Sequence, residues 1–229
     1  MKHFWKLVSL CVAVVFFAMG ALLTGCGSGG SAKIRFVNLS PNSPSFNILV
    51  DGKTVTNGLG FGVLTSYMSI SSGSRKIEFQ AVGTTTDVFA PAEPSIQGGM
   101  NYTFLTYDFF TQIKNTILTD NQTAPANGDF QVRIVNAAAA LGARDIYFVP
   151  NLTDINTVSP TAGNVGLGKD TGYLSQSAGV YQIFFAQPGF KTGYSSTGGI
   201  TFAQNTNRTI VGFTNQFGAF STLTLADLN

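Results

Sequence analysis

Hydrophobic and polar side chains alternate along residues 75–81, Arg-Lys-Ile-Glu-Phe-Gln-Ala. Ile77, Phe79 and Ala81 fall on one face of an extended chain, and the polar residues between them fall on the other. This period of two predicts a half-buried β-strand, because successive side chains of a strand point to opposite faces of its sheet. Five further segments are rich in β-branched and aromatic residues and also predict strands: 131–136, 147–149, 180–186, 208–214 and 220–225.

Turn-forming dipeptides punctuate the chain, and no long segment has the 3.6-residue period of a helix. The four alanines at 137–140 are too few to form a stable helix alone. The pattern therefore predicts an all-β fold whose core is largely aromatic. The predicted core residues are Phe36, Phe46, Phe79, Phe104, Ile183, Phe185 and Phe202. The turn dipeptides are Asp51-Gly52, Ser72-Gly73, Gly98-Gly99, Asn127-Gly128, Pro188-Gly189 and Gly198-Gly199.

The chain contains two similar stretches with their matching segments in the same order. Residues 34–38, Ile-Arg-Phe-Val-Asn, match residues 132–136, Val-Arg-Ile-Val-Asn, at an offset of 98. The offset later becomes 106, so one insertion within 151–168 of the second copy accounts for the difference. The other matches are 46–50 with 145–149, 67–69 with 173–175, and 101–104 with 207–210. Short strands at this density predict two tandem antiparallel β-sandwich domains, immunoglobulin-like or transthyretin-like, at 32–124 and 129–229.

The N-terminus has the pattern of an export signal. Lys2, His3 and Lys6 precede an almost wholly apolar run at 7–23, and Leu23-Thr24-Gly25-Cys26 follows. This tetrapeptide resembles the bacterial lipobox, which implies cleavage after Gly25 and lipid attachment to the Cys26 thiol. We therefore predict a lipoprotein signal peptide at 1–25 and a lipidated Gly-Ser tether at 26–31.

Two alternatives remain open for this segment: an ordinary secretory signal and an uncleaved helix. Gly27 stands where aspartate retains lipoproteins in the inner membrane under the enteric sorting rule. By that resemblance we expect a lipid-anchored protein of the bacterial cell envelope, located in the outer membrane and either periplasmic or surface-exposed.

Composition narrows the possible functions of the mature chain. Removal of residues 1–25 takes away the single His and Trp, Cys11 and two lysines, leaving eleven basic and eleven acidic residues. A chain without histidine cannot form a Ser-His-Asp triad or a His-ligated zinc site. Zero formal net charge argues against a nucleic-acid partner, which requires a basic face. We expect no metal and no cofactor.

The acidic residues are scattered along the sequence. Glu78 lies on the polar face of its predicted strand, and Asp51, Asp120 and Asp129 lie beside turns. We interpret them as turn caps and solvated residues, so no catalytic residue is expected. A carboxylate hydrolase remains an alternative, since it needs two acids about 5–9.5 Å apart in a pocket.

Aromatic residues near turns are the candidate binding groups. Tyr107, Phe109 and Phe110 follow one predicted strand, and Phe217 occupies the corresponding place in the second copy. The remaining two candidates, Phe190 and Tyr194, flank a Gly-rich turn. Either these side chains cover the ends of the sandwiches and the contact between domains, or they form an apolar patch for a partner or sugar.

The opening of each copy resembles a known family. Residues 34–44 and 46–52 form a strand, a Ser-Pro-x-x-Pro corner and a second strand that ends in Asp-Gly; Phe61-Gly62, Tyr67 and Gly73 complete the pattern. This resembles the domain of unknown function family 4397. The second copy lacks the prolines and has Pro150-Asn151 in place of Asp-Gly. The resemblance implies an exported bacterial β-sandwich protein, often in tandem copies, and it carries no catalytic residues.

We therefore expect a lipid-anchored envelope protein that acts as a non-enzymatic structural or binding module. Three alternatives stay open: a module that binds glycan or cell-wall polymer, a carboxylate-based hydrolase, and a subunit of an envelope assembly. Each makes a structural prediction. The first requires an exposed aromatic patch or groove, the second converging acids, and the third a free edge strand or a large apolar patch.

Overall fold

The computed structural model describes the backbone of residues 30–228 and their side chains except that of Asn127. The predicted signal peptide at 1–25 and the lipid-attachment residue Cys26 lie outside the described residues. Ser31, the last residue of the predicted tether, already belongs to the first strand. Within residues 30–228, no helix has the length and apolar character needed to cross a membrane.

The described chain is all-β. Nine strands form its N-terminal half: β1 (Ser31–Asn38), β2 (Phe46–Val50), β3 (Lys53–Leu59), β4 (Met68–Ser71), β5 (Gly73–Ser74), β6 (Ile77–Ala81), β7 (Ser95–Ile96), β8 (Asn101–Tyr107) and β9 (Lys114–Asp120). Eight strands form its C-terminal half: β10 (Asp129–Ala137), β11 (Arg144–Pro150), β12 (Ala162–Val165), β13 (Lys169–Ser177), β14 (Gly179–Ala186), β15 (Ser195–Phe202), β16 (Asn207–Thr214) and β17 (Phe220–Leu228). Three short 3-10 helices lie at Phe110–Gln112, Ala126–Gly128 and Ile155–Thr157.

Each half consists of two layers of β-sheet. One layer is a four-stranded sheet, with the order β4-β1-β8-β9 in the N-terminal half and β13-β10-β16-β17 in the C-terminal half. We call these two the inner sheets. The other layer is the sheet β3-β2-β6 in the N-terminal half and the sheet β12-β11-β14-β15 in the C-terminal half. The N-terminal half also contains a small two-stranded sheet, β5-β7.

The prediction of purely antiparallel sheets is wrong at the centre of both inner sheets. β1 pairs with β8 in parallel, and β10 pairs with β16 in parallel. Parallel neighbours need a long crossover, and in each half the chain between the two paired strands forms the sheet of the other layer. Such strands are stable where both faces of a sheet are covered, which is the position of β1 and β10.

The predicted strands and core are confirmed. The segment 75–81 contains β6, and the other five predicted segments coincide with β10, β11, β14, β16 and β17 to within a few residues. All seven predicted core side chains are buried. Glu78 departs from the prediction, because it is only 8% exposed and pairs with Lys76 at 2.6 Å.

Candidate functional site

The two inner sheets pack against each other and bury an apolar cluster, which we call the central interface. The alternation along β1 separates its side chains: Phe36 enters the core of the N-terminal half, and Val37 enters the central interface. In β10, Ile134 likewise enters the core of the C-terminal half, and Val135 enters the central interface. The buried members of the central interface are Val37, Leu39, Leu105, Tyr107, Leu118, Val135, Ala137, Val211, Phe213 and Leu225.

Arg35 projects from β1 into the same interface and is 3% exposed. Its Nε donates to the Thr103 hydroxyl of the neighbouring strand at 2.8 Å. Its two terminal nitrogens reach the other half of the molecule. Nη1 donates to the carbonyl oxygen of Ala226 at 2.7 Å, and Nη2 donates to the carboxylate of Asp227. A guanidinium group suits this position because it offers several donors in a fixed plane.

Arg133 makes the corresponding contacts from β10. Its Nε donates to the Thr209 hydroxyl at 3.1 Å. Nη1 donates to the carbonyl oxygen of Thr119 at 2.8 Å, and Nη2 donates to Asp120 Oδ1 at 2.6 Å. Each arginine is thus bound to the aspartate of the opposite half, so the contacts are reciprocal. Reciprocity of this kind is typical of an interface related by two-fold symmetry.

Two tyrosines complete the arrangement. The Tyr67 hydroxyl donates to Asp120 Oδ2 at 2.7 Å, and the Tyr173 hydroxyl donates to Asp227 Oδ2 at 2.8 Å. The Arg35 guanidinium lies 4.6 Å from the ring centroid of Tyr67, and the Arg133 guanidinium lies 4.8 Å from that of Tyr173. Both distances are within the range of a cation–π interaction. We call this set the charged network: Arg35, Tyr67, Thr103, Asp120, Arg133, Tyr173, Thr209 and Asp227.

Burial raises the pKa of three members of the charged network. Removal from water, with the nearby charge of Asp120, raises the pKa of Asp227 above its ordinary value. Burial also raises the pKa of the Tyr67 and Tyr173 phenols, so both remain protonated and able to donate at neutral pH. Two arginines facing two aspartates balance the formal charge, which is the condition under which buried ions are tolerated.

The interpretation of Asp120 as a solvated residue beside a turn is wrong. It is 2% exposed, and Asp227 is 4% exposed. The sequence does contain a signal for this site, because an arginine stands between apolar residues in both matching stretches, at 35 and 133. The alternation of side chains along the strand assigns this position to a covered face of the sheet. A charged side chain there indicates a buried partner of opposite charge.

The charged network also bears on the hydrolase alternative, since it brings together two acids that are distant in sequence. Nη2 of Arg35 donates to Asp227 and lies 3.7 Å from Asp120 Oδ2. However, both carboxylate side chains are 0% exposed. A glycosidase pair must contact substrate and water. These two acids are closed to both, so their proximity gives the hydrolase alternative no support.

Of the six predicted patch aromatics, Tyr107 is buried and Phe110 is half-buried. Tyr107 is 6% exposed and belongs to the central interface, where its ring lies against Gly168 of the other half. Phe110 packs partly against the core of the N-terminal half. Phe110 is thus half-buried, whereas the inclusion of Tyr107 in an exposed patch is wrong. The cause is the packing of one half on the other, which covers the last residue of β8.

The other four candidate aromatics are exposed. Phe109 is 38% exposed, Phe190 56%, Tyr194 46% and Phe217 83%. Phe217 sits on a tight turn that its neighbour Asn215 stabilises. The Asn215 side chain accepts hydrogen bonds from the backbone N–H groups of Phe217 and Ala219. A rigid turn that presents a phenylalanine to solvent loses little conformational entropy when that side chain binds.

Strand direction places these four aromatics at one end of the molecule. Arg35 and Arg133 meet through the charged network at the middle of β1 and β10, while the ring centroids of Phe61 and Phe213, which lie beside the ends of these strands, are 6.0 Å apart. β1 and β10 therefore run in the same direction, and the loops after β8 and β16 share one end. The 187–194 loop joins them, because Gly189 N–H donates to Asp145 at the start of β11.

We call this the aromatic end, and Ser31 lies at the opposite end. Large exposed apolar side chains concentrate there. Among residues 30–228, its loops contain seven: Val63, Leu64, Val82, Phe109, Phe190, Tyr194 and Phe217. The three elsewhere are Val55, Leu152 and Val180. Apolar groups that collect on one surface, rather than scatter, mark a contact surface.

These features define an all-β protein whose sandwich-like halves are joined through a buried, reciprocal interface. The chain belongs to the family described as Domain of unknown function (DUF4397), whose model matches residues 32–147. The match extends through the N-terminal half into β11, so it includes Arg35, Asp120 and Arg133. A search of curated proteins finds no match. Among the described residues, no three His, Cys, Asp or Glu side chains cluster as metal ligands would.

Proposed function

We propose that this protein is a lipid-anchored bacterial envelope protein that acts as a non-enzymatic binding module. The single observation that carries the proposal is the placement of two features at opposite ends of the molecule. Ser31 lies at one end, and the exposed aromatics lie at the other. A chain attached to a membrane through Cys26 would extend these aromatics away from the membrane. At full extension, the residues between Cys26 and Ser31 span less than about 20 Å. The outer membrane is the proposed location.

The proposal includes two tandem copies of one immunoglobulin-like or transthyretin-like unit, at residues 32–124 and 129–229. Three independent features support it. The sequence matches are in the same order, the inner sheets share one strand order, and the charged network is reciprocal. In this arrangement the central interface is structural, and the aromatic end remains for a partner in the envelope, protein or glycan. No nucleic-acid partner is proposed.

Replacement of Cys26 by alanine tests the anchor. We expect Cys26→Ala to move the protein from the membrane fraction to the soluble fraction, because acyl chains supply the membrane affinity. Cys11→Ala is the matched control, since it removes the other cysteine and should leave the membrane fraction unchanged. Fractionation of cells that produce each variant, followed by immunoblotting, gives the measurement. A Cys26→Ala protein that stays with the membranes contradicts the anchor.

Site-specific photocrosslinking tests the aromatic end. A photoreactive phenylalanine analogue at Phe217 should crosslink to an envelope component in intact cells. Leu152 is the control position, because it is 89% exposed but follows β11 at the other end of the molecule. We expect the discrete crosslinked product from position 217 to be at least about tenfold stronger than that from position 152, because a few central residues make most of the contact in an interface. Equal products from both positions, or none from either, would refute a partner at this end.

A further inference from the structure

A cavity of about 400 Å³ opens where the N-terminal half, the C-terminal half and the segment that connects them meet. It lies at the opposite end from the aromatic loops, because Gly99 in its wall donates a backbone hydrogen bond to Ser31. Its volume is within the range of small-molecule sites, which often occur between domains. The lining residues are Gly99, Met100, Asn101, Thr119, Asp120, Asn121, Gln122, Thr123 and Tyr173.

The polar groups of the cavity are amides and hydroxyls. Two of the amides already have partners in the protein. Asn121 donates to Gln131 at 2.6 Å, and Gln122 Nε2 donates to the Asp227 carbonyl oxygen at 2.6 Å. The side chains of Asn101 and Thr123 have no hydrogen-bond partner within residues 30–228, whereas that of Thr119 lies on the opposite face of its sheet, beside Tyr102. The Asn101 and Thr123 side chains can therefore both donate to and accept from a ligand.

The cavity offers no accessible formal charge. Asp120 is the only carboxylic acid in its lining, and its side chain is 0% exposed and bound to Arg133. An anion or a cation would find no counter-charge there. Met100 and the Tyr173 ring supply apolar surface beside the amides and hydroxyls. Tyr173 is fixed in place, since its hydroxyl donates to Asp227 and accepts from the backbone N–H of Asn121.

We propose that this cavity binds one or two sugar units of a neutral glycan. Sugar hydroxyls donate and accept at once, as the side chains of Asn101 and Thr123 require, and the C–H face of a sugar ring packs on an aromatic ring or a thioether side chain. This site is separate from the aromatic end. It does not depend on the lipid anchor, so either proposal can fail while the other stands.

Ligand-observed saturation-transfer NMR on the full-length mature protein tests the proposal. The probes are cellobiose, maltose and N,N′-diacetylchitobiose, with galacturonic acid as a charged sugar and N-acetyl-trialanine amide as a neutral peptide. We expect saturation transfer to at least one of the disaccharides. The double variant Asn101→Ala/Thr123→Val should weaken that binding about tenfold, the loss expected for two hydrogen bonds.

Asn57→Ala/Thr222→Val is the matched control, since it makes the same two substitutions at exposed strand positions away from the cavity. Its affinity for the disaccharide should equal that of the unchanged protein. The proposal is overturned if no disaccharide receives saturation, if the Asn101/Thr123 variant binds as well as the control, or if only galacturonic acid or the peptide binds.

Discussion

Arg133→Met is expected to lower the free energy of unfolding by about 3–5 kcal/mol, because it leaves the carboxylate of Asp120 buried without its arginine. Asp120 would keep its hydrogen bonds from Tyr67 and Thr103, but Arg35 lies 3.7 Å away and is already bound to Asp227. Methionine retains much of the arginine's apolar volume, so the loss reports the charge rather than a cavity. Urea unfolding followed by circular dichroism gives the measurement.

Arg75→Met is the matched control for this prediction. Arg75 pairs with Asp51 at 3.0 Å on the surface, where the two side chains are 27% and 46% exposed. Its loss should cost less than about 1 kcal/mol, since exposed ion pairs contribute little. Addition of Asp120→Leu to Arg133→Met should restore part of the lost stability, because no unpaired charge then remains. Equal losses from Arg75→Met and Arg133→Met would contradict a buried network that holds the halves together.

Gly168→Ala should destabilise the protein by about 2–4 kcal/mol, the sum of backbone strain and a steric clash. Gly168 has a φ of +76°, which costs an L-residue energy. A Cβ at this position would also collide with the Tyr107 hydroxyl and lie 2.5 Å from Tyr107 Cζ. Tyr107 is buried in the central interface, so its ring has little room to move aside. Thermal or urea unfolding of the variant gives the measurement.

Gly142→Ala separates the two contributions. Gly142 has a φ of +68°, and a Cβ there would meet no atom within 4 Å. It should therefore show the backbone cost alone, about 1–2 kcal/mol. The combination of Gly168→Ala with Tyr107→Phe removes the closest contact and should recover part of the difference. If Gly168→Ala costs no more than Gly142→Ala, the close packing of the halves at Tyr107 is refuted.

The sequence predicted the strands and their cores well, for a local reason. Alternation such as that of Ile77 and Phe79 reflects burial on one face of one strand, and turn residues such as Asp51-Gly52 act within a few positions. Neither depends on distant contacts. The direction of pairing does depend on them, and the parallel pairs β1–β8 and β10–β16 were accordingly missed.

The candidate sites were predictable only in part. Exposure of Phe109, Phe190, Tyr194 and Phe217 follows from their places in turns, whereas Tyr107 shares that local context and is buried. The difference is the other half of the chain, which covers the end of β8. The lining of the cavity beside Asn101 includes residues of β8, β9, β13 and the segment that connects the two halves. No regular spacing in the sequence links these residues.

By itself, the sequence determined the all-β class, the strand positions, the aromatic cores and the repetition of Ile-Arg-Phe-Val-Asn as Val-Arg-Ile-Val-Asn. These are properties of neighbouring residues, since a strand's alternation and a turn's backbone are set locally. Only the tertiary structure decided that Arg35 binds Asp227 and Arg133 binds Asp120, nearly 200 and 13 residues apart. Desolvation makes such charges costly unless they are paired, and the pairing exists only when the two inner sheets meet face to face.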